Sequence, residues 1–238
     1  MEPKRVYEQA GVAMTSRSYV EYEKMFVLDS KHLQGKRVLD VAGGASSFTV
    51  EAREKGIFAE AADPLYSKSP EEIARHGRDE IEIVASKMEK LVEVYNWEFY
   101  GSVEQHKAAR VESLTRFTED YASRDSASRY HRALLPELPF PDGAFDLVLC
   151  SHFLFLYEEQ FDDAFHLAAI QELLRVCKPG GELRIYPLLN FHTNEYAGMQ
   201  KLLDELTLLG HLAVKKDADL PFLPNSQHYL VIDKSICA

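Results

Sequence analysis

Residues 38–52 read VLDVAGGASSFTVEA. The run RVLDVA, residues 37–42, has the length and apolar content of a buried strand. Two glycines and two serines follow, then a stretch of helical character that stops near Lys55 and Gly56, a basic residue and a glycine suited to a helix C-terminus. Ser46 or Ser47 can cap the start of that helix. Small residues between a buried strand and a helix have two uses. They make a tight turn for packing, or they let backbone come close to something.

Further along, the chain repeats the alternation. Residues 58–63 (FAEAAD) form a second strand ending in Asp-Pro, and residues 145–151 (FDLVLCS) and 182–188 (ELRIYPL) read as further buried strands. Those two bracket a helix from about 160 to 176, and KPGG at 178–181 reads as the turn between helix and strand. Tyr196, Met199, Leu203 and Leu206 mark another amphipathic helix, and strands at 211–215 and 228–233 follow. Strands alternating with helices imply parallel βαβ units with right-handed crossovers.

Residues 69–128 interrupt this rhythm. Ile73, Gly77, Ile81, Val84, Met88, Leu91 and Tyr95 recur at helical spacing, predicting one long amphipathic helix; Val111, Leu114, Phe117 and Tyr121 predict a second after a break near Gly101. A crossover needs only a dozen or more residues, so this stretch of roughly sixty is an insertion, read as a helical hairpin whose apolar stripes are packing surface.

The 238 residues suffice for one large domain with an elaboration, and 46% hydrophobic with 27% charged residues is globular composition. The N-terminus MEPKRVYEQA lacks a secretory h-region, and LVLCSHFLFLY is too short to span a bilayer. Cys150, Cys177 and Cys237 form neither CxxC nor a disulfide framework, which places the expectation in a reducing cytoplasm. A formal net charge of −11 argues against nucleic-acid binding, which uses a basic footprint. The nine histidines show no ligand spacing and no carboxylates cluster for magnesium, so no metal is expected.

In an open parallel sheet, ligands sit beyond the carboxyl ends of the strands. There the glycine turn would admit a ligand, the helix N-terminus would offer N–H groups, and Asp63, some twenty residues on, would accept hydrogen bonds from ribose hydroxyls. The plainer alternative makes Gly43 and Gly44 a packing turn and Asp63 the start of an Asp-Pro turn.

VLDVAGGAS, AEAADPLY, LPFPDGAFDLVLCSHFLFLY and LLRVCKPGGELRIYPL, in this order, resemble the motifs of class I S-adenosylmethionine-dependent methyltransferases over residues 37–188, the insertion apart. The resemblance implies an α/β fold: a Rossmann-like, doubly wound, mostly parallel seven-stranded sheet. Residues 1–36 would be an N-terminal helical lid segment and 37–238 the methyltransferase domain, with a helical insertion at about 67–128 after the second strand. It implies S-adenosyl-L-methionine as cofactor. Asp40 would orient the turn and the methionine ammonium; Ala42, Gly43 and Gly44 would let backbone pass the methionine moiety. Asp63 would hold the ribose diol, Leu65 would lie on the adenine face, and Cys150 and Ser151 would line the methionine end. The sequence departs from the family pattern in three places. Ala42 and Ser46 stand where the pattern has glycine, and alanine allows close approach where its φ is negative. The position near Leu134 that corresponds to the family's acid ahead of LPF carries none, leaving Glu137 or backbone groups to meet adenine.

Methyl transfer needs an aligned acceptor lone pair, and a base only where the acceptor proton is tightly held. His152, directly after the fourth strand, is the candidate catalytic base. Tyr19, Tyr22 and Asn190 are candidate substrate-binding residues, with His192 near Asn190; core packing is the competing reading for both tyrosines. Arg129, His131 and Arg132 could bind an anionic acceptor or form a mixed-charge helix face. The expected acceptor is a small molecule methylated on oxygen or nitrogen, with no membrane or nucleic-acid partner. RNA or protein acceptors and a non-catalytic cofactor-binding module are the alternatives. A dinucleotide oxidoreductase would call for a fuller G-x-G-x-x-G turn than AGGASS.

Overall fold

Parallel strands covered on both faces read as unbroken apolar runs, and the first of them, β1 (Arg37–Val41), is buried along all but its first residue. In a computed structural model, which describes residues 12–234, β1 lies inside a seven-stranded sheet, next to its central strand. Its companions are β2 (Phe58–Ala62), β3 (Tyr130–His131), β4 (Phe145–Ser151), β5 (Cys177–Tyr186), β6 (Leu212–Asp217) and β7 (His228–Asp233), in the order β3-β2-β1-β4-β5-β7-β6. The pairs from β3 through β5 are parallel, and β7 runs antiparallel between β5 and β6. Val41 pairs with Ala62 and with Cys150, and Cys150 pairs with Ile185. The carboxyl ends of four strands therefore form one rim.

Alternation sorts the strand side chains onto two cores. Helices α1 (Tyr19–Phe26), α2 (Ser30–Leu33) and α3 (Phe48–Glu54) belong to one: Tyr19, Tyr22, Phe26, Leu33 and Phe48 pack with Val38, Leu147 and Leu149. Helices α6 (Asp163–Val176) and α7 (Met199–Leu208) cover the other, where Ile170, Leu173 and Leu202 meet Leu39, Val148 and Cys150. Phe48 is fully buried, and removing a phenylalanine side chain from water is worth about 1.5–3 kcal/mol.

Between β2 and β3 stand α4 (Pro70–Glu89) and α5 (Val103–Tyr121), packed against each other. Ser69 and Glu72 close a capping box at the start of α4, with Pro70 in its first turn. Ser102 caps α5 through the N–H of Gln105 at 3.2 Å. Buried Ile73, Ile81, Leu114 and Phe117 bind the pair to Tyr66 and Tyr130.

Three elements differ from the sequence expectation. The stripe from Ile73 to Tyr95 is not one helix, because α4 stops at Glu89 and a 3-10 turn over Val92–Val94 redirects the chain. Tyr95 then stacks on Phe222 at 4.9 Å rather than on its own helix face. KPGG is not a turn ahead of a strand. It lies within β5, where Cys177 pairs with Phe145, the register shifts, and the Gly180 N–H donates to the Lys234 carbonyl at 2.9 Å. Finally, β3 is two residues long, too short to leave a periodic trace.

Candidate active site

The loop after β1 is built around two carboxylates. Asp40, at the end of β1, is buried; its Oδ2 accepts the Tyr22 hydroxyl at 2.9 Å, while Oδ1 has no partner among the described residues. Burial lifts its pKa to about 8, with help from nearby Asp63 and against the Tyr22 hydrogen bond. Asp63 closes β2 and accepts two backbone N–H groups, Gly44 at 3.0 Å and Leu65 at 2.7 Å. Burial outweighs those bonds and raises its pKa. Leu65 packs with the cluster around Tyr66 and Ile73.

Gly43 and Gly44 answer the question the loop raises. A Cβ on Gly43 would lie 2.8 Å from Asp40 Oδ2. Gly44 has φ +58°, and a Cβ there would lie 2.7 Å from the carbonyl oxygen of Thr15. What approaches the loop is the chain's own segment at residues 13–17. The Ala45 N–H donates to Thr15 O at 3.0 Å, the Ser47 N–H to Arg17 O at 3.0 Å, and Ser46 Oγ to Arg17 O at 2.6 Å. The Ser47 N–H is shared with Ser113 Oγ at 3.1 Å. N–H groups expected to await a ligand are thus bonded within the chain. Ala42 also departs from expectation. Its φ is +57°, the left-handed region, which costs an L-residue about 1–2 kcal/mol.

Residues 13–17 span from this loop to the insertion and to the segment after β4. The Ser16 hydroxyl donates to Arg110 O at 2.9 Å, and the Ala13 N–H to the Tyr157 hydroxyl at 2.7 Å. Beneath this strap, beyond the ends of β4 and β5, lies a cavity of about 180 Å³. Met25, Ile81, Met88, Leu156, Leu220 and Phe222 give it apolar walls. Its polar groups include Arg17, Arg110, His152, Tyr157 and Asn190.

Arg110, almost fully buried, forms an ion pair with buried Glu21 at 2.6 Å and donates to Ser16 O at 2.8 Å and the Tyr100 hydroxyl at 3.0 Å. That hydroxyl donates to Glu21 at 2.5 Å. Burial penalises the Glu21 anion, yet Arg110, Arg17 and Tyr100 overcome that and hold its pKa below the ordinary value. His106, buried beside this network, is pushed down to about 2 by burial and then by Arg110 and Arg17.

His152 follows β4 in a left-handed conformation, φ +53°, with its N–H donating to Tyr186 O at 2.6 Å. Strained residues of this kind persist where surrounding structure over-determines them, often at functional sites. Its Nδ1 lies 2.8 Å from Ser151 Oγ, whose hydroxyl donates to Met25 Sδ at 3.9 Å. The contact fixes the ring in either tautomer, with Nδ1 donating to or accepting from the Ser151 hydroxyl. Burial, then Arg17 and Arg110, hold His152 well below the ordinary histidine pKa, so it is neutral at physiological pH.

Sequence reasoning placed several residues elsewhere. Tyr19 and Tyr22 do not line the cavity; they lie against Phe48 with ring centroids 5.6 and 4.4 Å away, in the core beneath α1. Arg129 pairs with Asp120 at 2.9 Å and His131 with Glu60 at 2.9 Å, and neither they nor Arg132 faces the cavity. Glu137 is exposed. Asn190 lines the cavity, but its side chain is engaged with Glu158 and with the N–H groups of His192 and Asn194. Cys150 is wholly buried, and burial pushes its thiol up to about 12, leaving it unreactive. Arg17 and Arg110 were missed. The signal for Arg110 was its place in the series Val103, His106, Arg110, Leu114 and Phe117, the buried stripe of α5.

The architecture and the loop between β1 and α3 define a nucleotide-type α/β domain. A family model described as a methyltransferase domain matches residues 106–185. The chain is 30% identical over 220 residues, 92% of its length and 95% of the relative's, to the uncharacterized protein MJ0045 of Methanocaldococcus jannaschii. Similar solved structures include the PH0226 protein of Pyrococcus horikoshii OT3, with 14% identity, coverage of 91% of this chain and 90% of that one, and TM-score 0.49. Another is a SAM-dependent methyltransferase of Methanosarcina mazei, with 14% identity, 86% and 94% coverage, and TM-score 0.49. The chain belongs to the class I S-adenosylmethionine-dependent methyltransferase family and is a methyl-transferring enzyme. Among the described residues no helix is long and apolar enough to cross a membrane.

Proposed function

We propose that the enzyme transfers a methyl group from S-adenosylmethionine to an oxygen or nitrogen of a small-molecule acceptor in the cytoplasm. The cavity carries this reading. It is enclosed by the strap, the insertion and the segments after β4 and β5, and its 180 Å³ is below the roughly 300–1,000 Å³ of drug-sized pockets. That volume suits a small acceptor and not a polymer chain, and the net charge of −11 agrees.

The residues at the loop fit the donor. A buried carboxylate oxygen without a partner, Asp40 Oδ1, suits an ammonium group. Asp63 spends one lone pair of each oxygen on backbone and keeps others for a ribose diol. Ala42, Gly43, Gly44, Leu65, Cys150 and Ser151 would complete the donor's surroundings. When bound, S-adenosylmethionine supplies a methyl group activated by its sulfonium. In the tautomer whose Nδ1–H donates to Ser151 Oγ, His152 would accept the acceptor's proton at Nε2 as its lone pair engages the methyl. The strap and insertion exclude water and fix alignment.

The test incubates the enzyme with methyl-labelled S-adenosylmethionine and a cell extract split by ultrafiltration into small molecules and macromolecules. Label entering the small-molecule fraction, and lost with His152→Ala, supports the reading. Label entering RNA or protein replaces the acceptor class. Tight S-adenosylhomocysteine binding with no transfer to either fraction would favour a non-catalytic module.

A further inference from the structure

One cation of the cavity has no ion-pair partner of its own among the described residues. Three cations are among its lining residues: Arg17, Lys107 and Arg110. Arg110 is matched by Glu21 at 2.6 Å and Lys107 by Glu82 at 2.6 Å. Arg17 feels the field of Glu21 but forms no ion pair among the described residues: its Nη1 donates to Thr15 Oγ1 at 2.6 Å, and the rest of its fork finds no acceptor among them. It stands partly buried on the strap and lines the cavity together with His152. The one carboxylate in the lining, Glu80 on α4, is not among the groups that weigh most on Arg17, which are Arg110, Glu21, Tyr100 and Tyr22.

A guanidinium with free donors facing a cavity of low polarity is a carboxylate site in waiting, because planar N–H pairs match a carboxylate edge to edge. The surrounding wall is aromatic: Tyr95, Tyr100, Phe222, Tyr157 and Tyr186 all contribute. Building on the small-molecule methyltransferase reading, we propose that the acceptor is an anion, a carboxylate borne on a flat apolar body, with its carboxylate seated on Arg17 and its ring against these aromatics.

Two further effects agree. An anion beside Arg17 removes the repulsion between Arg17 and Arg110, which adds to burial in making the Arg17 cation unfavourable. The same anion offsets the part of the His152 shift that Arg17 causes, while the larger part, burial, remains.

Carboxylate has a second possible source, the methionine end of the donor, and the experiment separates the two. The full chain is saturated with S-adenosylhomocysteine, and ligand-observed NMR compares benzoate and indole-3-carboxylate with benzamide and indole-3-carboxamide. The carboxylates are expected to bind at least tenfold more tightly than their amides. Arg17→Gln should abolish that preference and Arg17→Lys should keep part of it, while S-adenosylhomocysteine affinity changes less than threefold in both. Circular dichroism melts of the variants establish that each is folded. Equal binding of acids and amides by the wild-type enzyme overturns the proposal. So does a tenfold or greater loss of S-adenosylhomocysteine affinity in Arg17→Gln, which makes Arg17 the donor's anchor. Failure of the wild-type enzyme to bind S-adenosylhomocysteine at all sinks the methyltransferase reading instead.

Discussion

If Asp40 receives the donor's ammonium group as proposed, donor binding is a proton-linked event. Its carboxyl is neutral in the free enzyme up to a pKa of about 8, against an ordinary value of 3.8. An ammonium group at Oδ1 requires the ionised form, so binding must drive the proton off. At pH 6 only about one molecule in a hundred is ionised and at pH 8 about half, so affinity for S-adenosylhomocysteine should tighten roughly 50-fold across that window. Asp40→Asn keeps an oxygen for the Tyr22 hydroxyl and never ionises. Its affinity should be flat with pH and no better than that of the wild type at pH 6. The assay is titration calorimetry from pH 6 to 8 in two buffers of different ionisation enthalpy. The wild type should release close to one proton per ligand at pH 6.5, and the variant almost none from this site. Stability supplies an independent readout. A carboxyl whose folded pKa is raised contributes stability that is complete below the unfolded pKa and lost as pH rises through the folded one. Between about pH 4 and 8, this group alone should therefore remove about 1.4 kcal/mol per pH unit from the free wild-type protein, a slope absent in Asp40→Asn. Wild-type affinity that is flat from pH 6 to 8, or a variant with the same pH profile, refutes the assignment of Asp40 to the ammonium.

Arg110→Met strands Glu21, a carboxylate 1% exposed, and should cost about 3–5 kcal/mol in urea denaturation. Adding Glu21→Gln should restore a good part of that loss, and no recovery would mean the pair is not the source. Gly44→Ala places a Cβ 2.7 Å from Thr15 O at φ +58°, so the strap must shift; trypsin cleavage after Arg17 should accelerate several-fold, and an unchanged rate would deny the contact. Phe117→Ala opens the core that joins α4, α5 and Tyr66. It should cost about 3–5 kcal/mol, and a loss under 1 kcal/mol would mean that the insertion is only loosely attached.

Most of the sheet was legible because its signals are local. Residues 145–151 and 228–233 matched β4 and β7 to the residue, since each is a short apolar run bounded by turn-forming residues. KPGG misled because a Pro-Gly-Gly string is turn chemistry wherever it occurs; here it forms an irregularity inside β5, between the Cys177 and Glu182 pairs with β4, tied by the Gly180 N–H to the Lys234 carbonyl. Tyr95 misled because helical spacing continues on paper after a helix has ended; its partner, Phe222, lies far along the chain.

The site divides along the same line. Asp40, Gly43, Gly44 and Asp63 stand beside strand ends, so a strand–turn–helix pattern locates them without any tertiary information. No local pattern in the sequence marked out Arg17 or Arg110. Their meaning arises where residues 13–17 cross the loop after β1 and α5 closes behind them, burying Glu21 with Arg110 and leaving Arg17 without an ion pair among the described residues. Periodicity and turn chemistry are properties of neighbouring residues, and the chain carries them in plain view. Desolvation, charge balance and cavity shape are sums over distant segments, and they exist only once those segments have met.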